Sequence, residues 1–345
     1  MKSKKYIFFL LLLFFVGCVS AAFFAWHKKI PIEFWNSVMP MPEGQTISVL
    51  IHPRQTVAEI ANDFHEKGIV KDSAREFARW LTKFNIDRKI LPGKYDLIPS
   101  SAWDTARQML TAVPISEAMT IVPGTNVYNF NNIFLVSDDL KEPINSDDVE
   151  REIFNDSLYP KQMIEFLPQS KEGRLSFLLP ETYITAELSP KELIRTASEA
   201  WWNKIGTQVL INPEEAKKTA IIASLIEREA LWDEERPRIA GVIYNRLQKN
   251  MLLQIDAAVV YAHLIKGRKV TRVLYKDLEI DSPYNLYKYT GLTPEPICIP
   301  SQLSWLAAFN PEDHDFLYYV ADKDGRHIFA KSFSDHQKNI KKVRQ

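Results

Sequence analysis

A run of 21 residues without a charged side chain, Tyr6–Trp26, follows Lys2, Lys4 and Lys5. At about 1.5 Å per helical residue it reaches roughly 31 Å, the thickness of a bilayer's hydrocarbon core. Basic residues ahead of such a run hold the N-terminus in the cytoplasm, so the body of the chain is expected across the membrane, in an extracytoplasmic space. Two cut sites compete with this single-pass anchor. Val19-Ser20-Ala21 resembles a signal-peptidase site, and Gly17-Cys18 resembles a lipoprotein-processing site with an unfavourable Phe15. The apolar run continues through Phe23-Phe24-Ala25-Trp26, past either cut, which favours a retained anchor in the plasma (inner) membrane. All three readings export the remainder. There the only thiol is Cys298, which excludes an internal disulfide and disfavours a cysteine metal site. Stability has to come from packed cores.

The 345 residues allow two or three small domains. Lys and Arg total 43 and Asp and Glu total 43, so no electrostatic case for nucleic acid exists. Periodicity and breakers divide the chain into a cytoplasmic tail 1–5, the anchor 6–26, a Pro-containing linker 27–45, a small α+β module 46–112, a mixed α+β domain 113–335 and a C-terminal helix or tail 336–345. Within the module the expected order is strand, helix, helix, strand, helix. In outline that order is similar to LysM-type glycan-binding modules. Residues 126–156 read as polar and irregular. Helices are expected over 189–206, 212–232, 237–248, 252–265 and 301–309. A hairpin is expected from 316–321 and 327–330 across the Asp322–Gly325 turn.

The 212–232 helix holds an oddly placed carboxylate. Positions three, four and seven apart share a helical face, which aligns Glu229 with Ile222, Leu225 and Ile226, with Trp232 following. Glu227 points to the opposite side, beside Ala223 and Ser224. An acid on an apolar stripe is costly when charged, so its pKa rises, each unit being worth about 1.4 kcal/mol. Such a group can hold a proton near neutral pH and deliver it to a leaving group. The bland alternative is a stripe-edge Glu neutralised by Lys218 or Arg236.

Polar groups crowd the sequence after Glu229: Arg236, Arg238, Asn245, Arg246, Gln254 and Asp256, then Tyr284, Asn285 and Tyr287 in a Pro-rich loop. Asn, Gln, Asp and Tyr suit sugar hydroxyl and acetamido groups. The serine-hydrolase elbow, phosphate loop, dinucleotide fingerprint and His-Glu-x-x-His zinc motif are all absent from the sequence. No cofactor and no metal are expected. His327 reads as a structural group or a minor site contact.

The blocks ASLIEREA (223–230), RIAGVIYNRL (238–247), LLQIDAAVVY (252–261), SPYNLY (282–287), GLTPEPI (291–297) and FLYYVADKDGRHIFA (316–330), with LPETY (179–183), resemble the endolytic murein transglycosylase, or YceG-like, family. The resemblance covers residues 117–335 in order and spacing, and the anchor and module also match the family's layout. It implies cleavage within peptidoglycan glycan strands and makes Glu229, the second Glu of the E-x-E pair, the catalytic acid. Glu227 would then support packing or orient neighbours. Glu227, Asn245, Gln254, Asp256, Tyr284, Asn285 and His327 are the expected substrate-binding set. The chain departs from the family at Asp256-Ala257-Ala258 (usually Asp-Pro-Thr), Ile299-Pro300-Ser301 (usually Asn-Pro-Gly) and Gly325-Arg326-His327 (usually Gly-Gly-His). None of these departures removes the acid.

The implied chemistry uses one carboxyl group. It protonates the oxygen between N-acetylmuramic acid and N-acetylglucosamine, then takes the proton from the muramoyl 6-hydroxyl as that group attacks the anomeric carbon. A 1,6-anhydro end results without water. The resemblance further implies a terminase of nascent strands, working beside peptidoglycan synthases (penicillin-binding proteins). Hydrolysis is the enzymatic alternative, with Asp233 or Asp256 as a second carboxylate. A non-catalytic glycan-binding scaffold for wall-synthesis enzymes is the alternative of another class.

Overall fold

The computed structural model describes residues 39–52, 55–134, 144–185, 188–209 and 212–344. The expected tail 1–5, anchor 6–26 and most of the linker lie outside the described residues. Among the described residues no helix is long and apolar enough to cross a membrane. The chain divides into two compact units after Ser116.

The first unit follows the expected order: β1 (Ile47–Ile51), α1 (Val57–Glu66), α2 (Ala74–Lys83), β2 (Gly93–Leu97) and α3 (Ala102–Thr111). Thr56 starts α1 with a capping box, its side chain bonding the Glu59 amide while Glu59 reaches back to the Thr56 amide. β1 and β2 pair antiparallel with Val49 opposite Tyr95, both facing inward. Phe64 of α1 stacks on Phe77 of α2 at 5.2 Å, closing a core that belongs to this unit alone. Ile115 exchanges both backbone hydrogen bonds with Lys94, which keeps the chain up to Ser116 with this unit.

The second unit is mostly helical, with two antiparallel strand pairs. β3 (Glu117–Thr120) pairs with β4 (Thr182–Thr185), and β5 (Tyr318–Ala321) pairs with β6 (His327–Ala330). Between and after them come α4 (Ser146–Ile153), α5 (Lys171–Ser176), α6 (Pro190–Trp201), α7 (Pro213–Glu229), α8 (Arg236–Gln248), α9 (Asp256–Ile265), α10 (Gln302–Phe309) and α11 (Phe333–Val343). The whole is a mixed α+β chain. Phe177, Trp201 and Trp305 form a mutually packed aromatic centre with ring separations of 4.7 to 5.3 Å.

Two expectations are corrected. Residues 126–156 are not wholly irregular: a 3₁₀ turn covers Phe130–Phe134, and α4 begins at the Asn145 cap. Only one helical repeat, Val149 and Ile153, marks the buried face of α4, too little to stand out as a period. Secondly, α7 stops at Glu229, three residues before Trp232. Ala230 is already extended (φ −83°, ψ 120°), and its amide makes the last helical bond to Ile226. Every residue from Thr219 to Ile226 is buried, with α8 and α10 packed against α7.

Candidate active site

Glu229 is the final helical residue of α7, where the chain turns out of the core. It keeps partial surface exposure, while its carboxyl is enclosed by protein atoms. The Tyr319 hydroxyl on β5 donates to Glu229 Oε2 at 2.9 Å. Burial pushes the Glu229 pKa up. The Tyr319 hydrogen bond opposes that rise, the Asp256 charge adds to it, and His327 and Arg228 oppose it. The two cations proposed to neutralise Glu229 are occupied elsewhere. Lys218 pairs with Glu215, while Arg236 pairs with Glu227 and Asp233.

The hairpin register explains how Tyr319 arrives. Tyr319 lies opposite Phe329 and Ala321 opposite His327, so Tyr319 and His327 occupy one face as diagonal neighbours. Their rings meet edge-on at 5.0 Å. His327 is held in turn by Glu235, which accepts from its backbone amide at 3.0 Å and from Nδ1 at 2.8 Å. A carboxylate partner makes Nδ1 the donor and leaves Nε2 as the second ring nitrogen. Burial and the Glu229 charge keep the Tyr319 hydroxyl protonated, so it remains a donor.

Asp256 opens α9, and Tyr287 donates to its Oδ1 at 2.6 Å. Gln254, two residues earlier, has φ +52°, and its amide bonds the Leu286 carbonyl at 3.0 Å. A left-handed non-glycine residue is uncommon. Here the conformation turns the chain into α9 and leaves the Gln254 side chain exposed beside Asp256.

The remaining expected residues stand behind this front. The Glu227 side chain is only 8% exposed, and its Oε2 accepts from Arg236 (3.2 Å), the Ser301 amide (2.9 Å), Ser301 Oγ (2.6 Å) and Ser304 Oγ (2.8 Å). Asn245 Nδ2 donates to the carbonyls of His314 (2.6 Å) and Phe316 (3.1 Å), tethering the approach to β5. Asn285 is fully buried; it donates to Leu278 and Ile280 and accepts from the Tyr287 amide. Tyr284 packs on Tyr261 at 5.2 Å. The structure therefore gathers Asp256 and His327 around Glu229, with Gln254 adjacent. Glu227, Asn245 and Asn285 spend their polar atoms on neighbouring protein groups.

Sequence reasoning missed Tyr319 and Glu235. Strand alternation across the 316–330 hairpin could have put Tyr319 on the His327 face. Nothing local announced Glu235, whose partner lies 92 residues away. Arg246 was noted only as a polar neighbour. It bonds the carbonyls of Leu317, Leu252 and Leu253, clamping the start of β5 to the segment that carries Gln254.

This arrangement offers one desolvated acid with a donor already aimed at the charge it acquires on giving up its proton. Residues 49–342 match the YceG-like family. An endolytic murein transglycosylase of Bacillus subtilis (strain 168) is 31% identical over 318 residues, covering 85% of this chain and 83% of that protein. One of Streptococcus pneumoniae (strain ATCC BAA-255 / R6) is 28% identical over 333 residues; the match covers 88% of this chain and 60% of that longer relative. The crystal structure of a yceG-like protein from Listeria monocytogenes superposes with a TM-score of 0.52 at 28% identity, covering 86% of this chain and all of that one. The chain belongs to the YceG-like family.

Proposed function

We propose that the chain cleaves peptidoglycan glycan strands internally, at the bond from N-acetylmuramic acid to N-acetylglucosamine, leaving 1,6-anhydro ends. Glu229 protonates the bridging oxygen. Its carboxylate, held by the Tyr319 hydroxyl, then accepts the proton of the muramoyl 6-hydroxyl as that oxygen attacks the anomeric carbon. The bridging C–O bond breaks, a new C–O bond forms within the same sugar, and no water enters. The observation that carries this reading is Glu229 itself, desolvated at the end of a buried helix and bonded to Tyr319. The names of the relatives support the substrate class and the lytic outcome.

The wider setting belongs to the same proposal. Tyr6–Trp26 anchors the chain in the plasma (inner) membrane, and both units face the wall compartment. Residues 46–112 act as a LysM-like substrate-capturing module. Strand cleavage next to the membrane terminates nascent glycans made by peptidoglycan synthases. A muramidase that uses water is the competing reaction. Asp256 favours it, as a second carboxylate whose charge reaches Glu229.

Digestion of purified glycan strands, with product ends read by mass, tests both. Anhydro ends are expected, whereas reducing ends would move the assignment to hydrolysis. Glu229→Gln should abolish cleavage while circular dichroism stays native, because the amide keeps the shape and cannot donate the proton. Wild-type turnover in that variant rejects the mechanism.

A further inference from the structure

Arg228 lies between the two glutamates in sequence, on the last turn of α7, with its side chain exposed. No carboxylate among the described residues forms an ion pair with it. Its guanidinium crosses the face of Gly124, where an added Cβ would sit 3.1 Å from Nη1. Gly124 has φ +86°, a backbone conformation that a side chain disfavours.

Beside this contact opens a cleft of about 160 Å³. Its polar side is Arg228, Asn126 and Asn129; its apolar side includes Ala257 and Val260 of α9. The Oδ1 atoms of both asparagines are engaged, Asn129 accepting from the Asn126 amide at 2.6 Å and Asn126 from the Tyr128 amide at 3.0 Å. What each carboxamide has left is its Nδ2 donor group. The polar wall therefore offers donors and a positive charge, which calls for a ligand bearing carboxylate or carbonyl oxygens. The apolar wall calls for small alkyl groups on the same ligand. The volume lies below the roughly 300–1,000 Å³ of sites that enclose whole small molecules, so the cleft suits a branch rather than a sugar chain. Asp256, the residue before Ala257, acts on Glu229, so cleft and acid share the start of α9.

We infer that this cleft receives the peptide branch of the strand, a short peptide with small alkyl side chains and a carboxylate, with that carboxylate on Arg228. This rests on the cleavage reading above and adds that the site prefers peptide-bearing strands to bare ones. The discriminating contact is a charge-assisted hydrogen bond, which corresponds to about a tenfold preference.

The test uses the full chain and two substrates, glycan strands carrying their peptides and the same strands stripped by an amidase. The wild type should show kcat/KM about tenfold higher on the peptide-bearing strands. Arg228→Gln should bring that ratio close to one, and Arg228→Lys should restore part of it. The ratio cancels any general effect of Arg228 on the acid beside it. Equal rates for the wild type on both strands, or a preference that survives Arg228→Gln, overturns the inference while leaving the cleavage reading intact. A chain that cuts neither strand overturns both.

Discussion

Glu229 is held between two opposing demands. As the general acid proposed above, it must keep its proton at working pH, and burial does that by penalising the carboxylate. The same group must survive as a carboxylate once the proton has gone, and the Tyr319 hydroxyl does that by bonding the charged form. Tyr319→Phe separates the two. With the donor gone, the Glu229 pKa rises further above the ordinary carboxylate range. The limb on which activity falls as pH rises through that pKa should shift to higher pH. Turnover at the optimum should drop about tenfold, because the carboxylate formed on protonating the substrate has lost its partner. A pH profile of kcat/KM for the variant checks both; a downward shift of that limb would contradict the assignment. The apolar setting of Glu229 was legible in the sequence, since a carboxylate in register with Ile222, Leu225 and Ile226 is visible from spacing alone. Tyr319 was not, because a hydroxyl 90 residues away becomes a neighbour only when the hairpin folds back on α7.

Helix α7 is the element around which the second unit is built, and Glu227 shows how it is secured. The last turn of α7 is tied to the start of α8 through Arg236, and to the start of α10 through Ser301 and Ser304. Ser301 is also the cap of α10, accepting from the Ser304 amide. Removing the charge from this knot leaves Arg236 with Asp233, itself largely exposed, as its one carboxylate partner among the described residues, beside the Ser304 hydroxyl. Glu227→Gln should therefore lower unfolding stability by about 2 kcal/mol, read from the urea midpoint, and reduce cleavage less than Glu229→Gln does. Loss of cleavage equal to that of Glu229→Gln would reverse the roles of the two glutamates. The start of α7 was legible from Pro213-Glu214-Glu215, a first-turn proline followed by acidic residues, and the structure adds the Asn212 side-chain cap. Its end was not. Ala230-Leu231-Trp232 continues the apolar period, and the helix stops for a tertiary reason, the turn that brings Glu235 under His327.

At the scale of the molecule, the two units close separate cores. Phe77 is fully buried against Phe64 in the core of the first. Phe77→Ala should cost the first unit about 3–5 kcal/mol. In hydrogen exchange followed by mass spectrometry, protection should fall across 47–111 and persist through α7. A matching loss in α7 would show one cooperative unit instead of two. The sequence by itself determined the order of elements in the first unit, the family, and the apolar setting of Glu229, because each is written in local spacing or in blocks of contiguous residues. Only the tertiary structure decided which polar groups face Glu229 and which are consumed in holding loops. Asn245, Asn285 and Asp256 look alike in one dimension. Their roles differ because a hydrogen-bonding side chain becomes scaffold or site according to which backbone carbonyls the fold brings within reach, and that proximity is set by packing between segments far apart in the chain.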